Sequence, residues 1–218
     1  MPTFRLERAL AIDGPIAGLD EAGRGPLAGP VVAAAVVVLE HKAMPQRLQR
    51  RIDDSKKLVR EEREAIYAKL HECKTVAIGV GQCSVEEIDT INILRASLLA
   101  MRRALDALPV QPLAALVDGN QKPDLPCPVH TVVKGDAKSL SIAAASIVAK
   151  VTRDRLMYAL ADQHPQFGWH HNVGYATAEH RAALERHGPT PHHRRSFIAT
   201  PLFLGTGAIA IEEIDRRD

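Results

Sequence analysis

Asp20 and Glu21 stand side by side after the apolar residues 15–19, and Ala22, Gly23, Arg24, Gly25 and Pro26 follow at once. Adjacent carboxylates are costly to bury without a cation. The glycines after them admit a turn whose main-chain groups another molecule can approach closely. Together these residues read as a metal site with a backbone clamp beside it. Two further acids complete it, Asp118 before Gly119 and Asp136 after Gly135. An all-oxygen donor set without accompanying Cys or His suits Mg2+ or Mn2+ rather than zinc. Such a cluster does hydrolysis, with two ions roughly 4 Å apart stabilising the attacking and leaving oxygens of a phosphate. A lone Asp before a glycine is more often a solvated turn former; four acids, all at or just after the ends of strand-like runs, argue against that reading.

Residues 23–28 superficially match the dinucleotide fingerprint G-x-G-x-x-A, which requires a helix next. Pro26, Pro30 and the β-branched residues 31–38 predict a strand there, so the loop reads as a clamp on a sugar-phosphate backbone. Ser55 and Lys56 are candidates to hold a phosphate, as are Lys134, Lys138 and Ser139 ahead of an alanine-rich segment. His192, His193, Arg194 and Arg195 form a basic stretch suited to the same contact. Phe167 and Trp169 read as core plugs, whereas Tyr175, between Gly174 and Ala176, reads as a ligand contact. Aromatics make up only 4% of the chain, which argues against a stacking platform for single strands. The histidine pairs at 170–171 and 192–193 lack partners at zinc spacing; His180 is the one histidine placed to reach the site.

The elements that must position these residues follow from periodicity. Strands are expected at 16–20, 31–39, 75–81, 113–117 and 129–133, with a helix at 60–72. Ser84 and Glu87 form a capping box that opens one long helix, with an apolar stripe from Ile88 to Leu105 and a stop at Pro109. Ser139 opens an alanine-rich helix through 142–160, and a shorter helix at 178–186 ends at Gly188 and Pro189. Three consecutive strands, a helix and two more strands predict a mixed sheet with helices on its faces. In open sheets the site lies at strand ends, where the acids fall.

The chain of 218 residues, 46% hydrophobic, is long enough for one sizeable core. One domain over 1–218 is expected, its residues from about 165 forming a helical, substrate-contacting extension. Twenty-eight Lys and Arg against 26 Asp and Glu leave +2, so net charge alone does not argue for nucleic acid and placement must. Three widely spaced cysteines without a C-x-x-C pair suggest reduced thiols. The first ten residues do not resemble a signal peptide, and the longest apolar run, 31–39, is far short of a membrane span. A soluble cytoplasmic protein without a membrane partner is expected.

Residues 18–31 (Gly-Leu-Asp-Glu-Ala-Gly-Arg-Gly-Pro-Leu-Ala-Gly-Pro-Val) resemble the signature of type 2 ribonuclease H, the bacterial enzyme that cuts RNA within RNA/DNA hybrids. In that family's order there follow Asp54-Ser55-Lys56-Lys57-Leu58, Asp118-Gly119, 134–139, 144–154, then Gly174, Tyr175, Thr177, His180 and Arg194-Arg195-Ser196-Phe197. The resemblance implies a ribonuclease H-like fold, a mixed five-stranded sheet flanked by helices with a helical C-terminal part. It places the metal-binding, catalytic carboxylates on Asp20, Glu21, Asp118 and Asp136, the glycine-arginine-glycine loop on Gly23, Arg24 and Gly25, and a sugar-sensing tyrosine on Tyr175. It further implies cleavage 5′ to ribonucleotides embedded in duplex DNA, leaving 3′-hydroxyl and 5′-phosphate ends, with roles in ribonucleotide removal and RNA primer removal. A monomer is expected. Beyond Phe203 no motif can be assigned, and some relatives use this end for extra nucleic-acid contacts or for a replication sliding clamp. A resolvase sharing the carboxylate arrangement, or a hybrid-binding module with vestigial acids, are the alternatives; the first needs no ribose sensor and the second no metal.

Overall fold

The computed structural model describes residues 1–198. Five strands, β1 (Ile16–Ala22), β2 (Val31–Val38), β3 (Val76–Cys83), β4 (Ala114–Asp118) and β5 (Val129–Val132), form one sheet in the order β3-β2-β1-β4-β5. The first three strands pair antiparallel, while β4 and β5 continue from β1 in parallel. Nine helices are described, α1 (Arg5–Ala9), α2 (Gln46–Gln49), α3 (Arg60–Glu72), α4 (Val85–Ile91), α5 (Ile93–Asp106), α6 (Leu140–Gln163), α7 (Trp169–Asn172), α8 (Ala178–His187) and α9 (Arg195–Ile198). This is the mixed sheet flanked by helices that the sequence predicts. The sequence pattern does not show α1, α2, α7 and α9, each of four or five residues, because helical periodicity cannot emerge over one turn.

Every residue of β2 is buried, because both faces of the sheet are covered. Ala34, Val36 and Val38 pack with Ala144, Ile147 and Val148 of α6 and with Ile66 and Leu70 of α3. Ala33, Ala35 and Val37 point the other way, together with Leu19 and Val117, onto Ala96, Ala100 and Met101 of α5. Among the described residues no helix is long and apolar enough to cross a membrane.

One expected element divides. The single helix predicted from Ser84 is instead α4 and α5, broken at Asn92, which has φ 68°. The capping box at Ser84 and Glu87 is present, as predicted. Asparagine tolerates the left-handed region and then restarts the helix, its side chain accepting from the Arg95 N–H at 3.0 Å. Two expected strands, 16–20 and 75–81, run two residues further than the apolar pattern shows, to Ala22 and Cys83.

The helices lie very close to the sheet. A Cβ at Gly81 of β3 would collide with the Ala100 carbonyl and the Ala104 nitrogen of α5, and one at Gly18 of β1 would strike the backbone of Ser141 and Ile142. Neither glycine has positive φ, so the demand is for space rather than conformation. Gly81→Ala is therefore expected to destabilise the protein by about 1–3 kcal/mol through overpacking. Urea denaturation measures this, and an unchanged midpoint would show that α5 can retreat without cost.

Candidate active site at the strand ends

The parallel register of β1 and β4 builds the centre of the site. Leu19 pairs with Val117, so the next residues, Asp20 and Asp118, emerge beside each other where β4 ends. Leu19 and Val117 both face α5, so alternation turns Asp20 and Asp118 toward the α6 side. Beyond this point β1 pairs only with β2, where Glu21 lies opposite Ala33. The edge that β4 leaves bare gives Glu21 access to the same cleft although it starts from the opposite face.

Burial and like charge act together here. Asp20 is 6% exposed. Loss of water raises its pKa well above the ordinary carboxylate value, and Glu21 and Asp118 push it further. Glu21 is raised first by burial and then by Asp118, against the opposing pull of Arg24 at 3.5 Å. Asp136, in the 3-10 turn Gly135–Ala137 after β5, is raised by burial, then by Asp118 and by Asp54. Asp118 itself accepts the Gly135 N–H at 2.6 Å, which ties the β4 end to the turn carrying Asp136. Asp20, Glu21 and Asp136 each feel the charge of Asp118, while Arg24 opposes at Glu21 and Lys56 at Asp136. Among the described residues no three His, Cys, Asp or Glu side chains close tightly enough to enclose an ion unaided. All-oxygen donors gathered in one cleft are the chemistry a hard divalent cation fits.

Two supporting residues are not evident from sequence. Ser146, on α6, acts on Asp20 in the direction that favours its ionised form, and its hydroxyl lies 2.7 Å from Ser55 Oγ. Asp54 contributes a fifth negative charge facing Asp136, with Lys56 opposing it. A serine in an apolar helix carries no sequence signal of its role; its neighbours across the fold assign it.

Two of the expected phosphate contacts, Ser55 and Ser139, are buried. The Ser55 hydroxyl is buried and engaged with Ser146, so it is turned inward. Ser139 is fully buried, donating to Glu7 at 2.7 Å and capping α6 at the Ile142 N–H. Lys56 and Lys138 remain exposed, the latter donating to the Val133 carbonyl at 2.6 Å.

Within the basic stretch 192–195, His193 and Arg194 are buried and unable to meet a phosphate, while Arg195 is exposed. Arg194 is fully buried and donates to the carbonyls of Gly23 (2.6 Å), Arg24 (2.9 Å) and Gly29 (2.9 and 3.0 Å). Burial, then the neighbouring Arg153, lowers its pKa to about 9, which still leaves it protonated at neutral pH. Arg153 from α6 grips Pro30, Val173 and Ala28 carbonyls in the same way. Gly23 has φ +99°, and a Cβ there would overlap Arg153, so the turn requires glycine twice over. This fastening presents Arg24 and Gly25 outward, and Gly25 faces the Tyr175 ring: a Cβ at Gly25 would lie 3.7 Å from Tyr175 Cε1. Tyr175 is 44% exposed, while Phe167 and Trp169 are fully buried, as the sequence predicts. His180 is buried beneath Tyr175 and bonded to its carbonyl at 2.8 Å, so it reaches the cleft only through that residue.

The fold is that of the type 2 ribonuclease H hydrolases. It superposes on the ribonuclease H2 from Pyrococcus horikoshii with TM-score 0.69 and 30% identity over 84% of this chain and 93% of that one. It also superposes on a chain of the PCNA:RNase HII complex from Archaeoglobus fulgidus with TM-score 0.67 and 25% identity over 91% and 98%. Residues 17–200 match the family model of Ribonuclease HII, and the Ribonuclease HII of Paramagnetospirillum magneticum is 60% identical over 204 residues, 94% of this chain and 99% of its own. The chain belongs to the ribonuclease HII family.

Two predictions follow from the buried cations and imidazoles. Arg194→Lys replaces a planar fork that makes four hydrogen bonds by an ammonium with three donors and no fixed plane, and should lower stability by about 3 kcal/mol on urea denaturation; a loss within error would mean the loop is held by other contacts. His193, 1% exposed, is lowered by burial and by His180 from an ordinary 6.5 to about 3. A depressed histidine stabilises the fold above its unfolded pKa and loses that contribution as pH falls. Between pH 6.5 and about 5, wild type should lose on the order of 2 kcal/mol more than His193→Gln. Parallel stability profiles for the two proteins would refute the assignment.

Proposed function

We propose that the chain hydrolyses RNA in RNA/DNA hybrids and cuts 5′ to ribonucleotides embedded in duplex DNA, leaving 3′-hydroxyl and 5′-phosphate ends. Ribonucleotide removal from DNA and RNA primer removal are the processes it would serve. One observation carries the reading: a cleft of mutually repelling carboxylates continues, within four residues of chain, into a loop whose Gly25 abuts an exposed tyrosine ring. Family membership supports it.

Asp20, Glu21, Asp118 and Asp136 would hold Mg2+ or Mn2+, and such ions supply the positive charge that polarises a phosphate and activates water. The other residues bind and orient. Gly23, Arg24 and Gly25 present main-chain groups and one guanidinium to the sugar-phosphate backbone. Lys56 and Lys138 add exposed ammonium groups that fit phosphates. A 2′-hydroxyl both donates and accepts, so a phenol beside main-chain groups can separate ribose from deoxyribose. Arg24 also draws on Glu21, coupling backbone contact to the acidic cluster. Tyr175 lies in the helical part after residue 165, which would make that segment part of the substrate surface. Contact with a sliding clamp through the tail beyond Phe203 concerns residues outside those described.

The test uses two duplexes identical except for one ribonucleotide, each assayed with Mn2+ and with Mg2+. Cleavage should occur only in the first, 5′ to the ribonucleotide, and Asp136→Asn should lower its rate at least about a hundredfold, since even residues supporting a metal ligand cost up to that. Millimolar metal should also raise the melting midpoint of wild type. Equal cutting of both duplexes would point to a nuclease without a ribose sensor.

A further inference from the structure

Behind the Tyr175 ring runs a series of hydrogen bonds whose directions are fixed at both ends. The Thr190 backbone N–H meets His193 Nδ1 at 2.9 Å. An amide N–H only donates, so His193 holds its lone pair on Nδ1 and its proton on Nε2. At the other end His180 Nδ1 lies 2.8 Å from the Tyr175 carbonyl, which only accepts. His180 therefore carries its proton on Nδ1 and its lone pair on Nε2. Into that lone pair point the two remaining donors, His193 Nε2–H at 3.0 Å and the Trp169 indole N–H at 3.1 Å. The tautomers required at the two ends agree in the middle. All three rings are buried, and a fully satisfied buried polar network specifies one orientation where an apolar cluster would allow several.

The same segment that anchors this relay, 190–194, also carries Arg194, whose guanidinium holds the Gly23, Arg24 and Gly29 carbonyls. The two sides of the cleft around Gly25 and Tyr175 are thus referenced to a single stretch of chain. We propose that His180 and His193 are positioning residues for ribose recognition, setting the Tyr175 main chain, and through it the ring, against Gly25. The inference rests on the reading of Tyr175 as the ribose contact.

Two conservative variants split the relay. His180→Gln keeps an acceptor for Trp169 and His193 but loses the donor to Tyr175. His180→Asn keeps a donor near the Nδ1 position and loses the other two bonds. If His180 served packing alone, the Gln variant would be the better protein in every respect. The relay predicts a dissociation: Gln is the more stable on denaturation, yet Asn retains the higher kcat/KM on the duplex with one ribonucleotide. His180→Gln should cost about tenfold in kcat/KM, and less than about twofold when Tyr175→Ala is already present, the coupling expected of residues acting through one another. Equal losses in both backgrounds overturn the proposal. If Tyr175→Ala alone leaves kcat/KM unchanged, the reading of Tyr175 fails and the relay's role with it; if Tyr175→Ala is impaired but His180→Gln is not, only the relay fails. Should His180→Gln not fold, His193→Gln, which breaks the relay at Thr190, takes its place in the same pairing with Tyr175→Ala, and a loss undiminished in that background overturns the proposal.

Discussion

Parallel pairing of β1 with β4 is the constraint from which the site follows. With Leu19 opposite Val117, the chain has no choice but to bring Asp20 and Asp118 out side by side at the cleft edge. Sliding the register by one residue would turn either acid into the apolar layer against α5. The carboxylates therefore sit where the backbone ladder puts them, against their own repulsion and at the cost of lost hydration. The energy that holds them comes from the apolar packing of β2, α5 and α6, which does not depend on their charge state.

A second layer of order surrounds the first. Ser146 favours the ionised form of Asp20, the Gly135 N–H steadies Asp118, and two buried arginines fasten the loop after β1. Neither Arg153 nor Arg194 uses a carboxylate in these contacts; each distributes its charge over main-chain carbonyls. Such dipoles satisfy a guanidinium without adding another anion beside a cleft already rich in negative charge.

Much of the architecture is legible from local pattern. The β-branched runs, the capping box at Ser84 and the glycines at 23 and 25 each act on near neighbours, and their elements appear where expected. The placement of the four acids at or just after strand ends is legible in the same way, because the strand-like runs stop where they stand. Where reading fails, the deciding partner is distant in sequence. Arg194 looks like a surface phosphate contact because its carbonyl partners lie some 165 to 171 residues away. Ser55 and Ser139 look like phosphate ligands until Ser146 and Glu7 are seen to engage them. Asn92 breaks the expected long helix because its side chain offers a new cap, an option that helical periodicity does not register.

The grip of Arg153 and Arg194 has a bearing on how this protein could diversify. Their partners are carbonyl oxygens that every residue type possesses, so the attachment does not depend on which side chains the strap displays outward. Position 24 can in principle exchange its guanidinium for another group while the strap keeps its course. The interior bolts stay fixed, and the exterior is left open to revision.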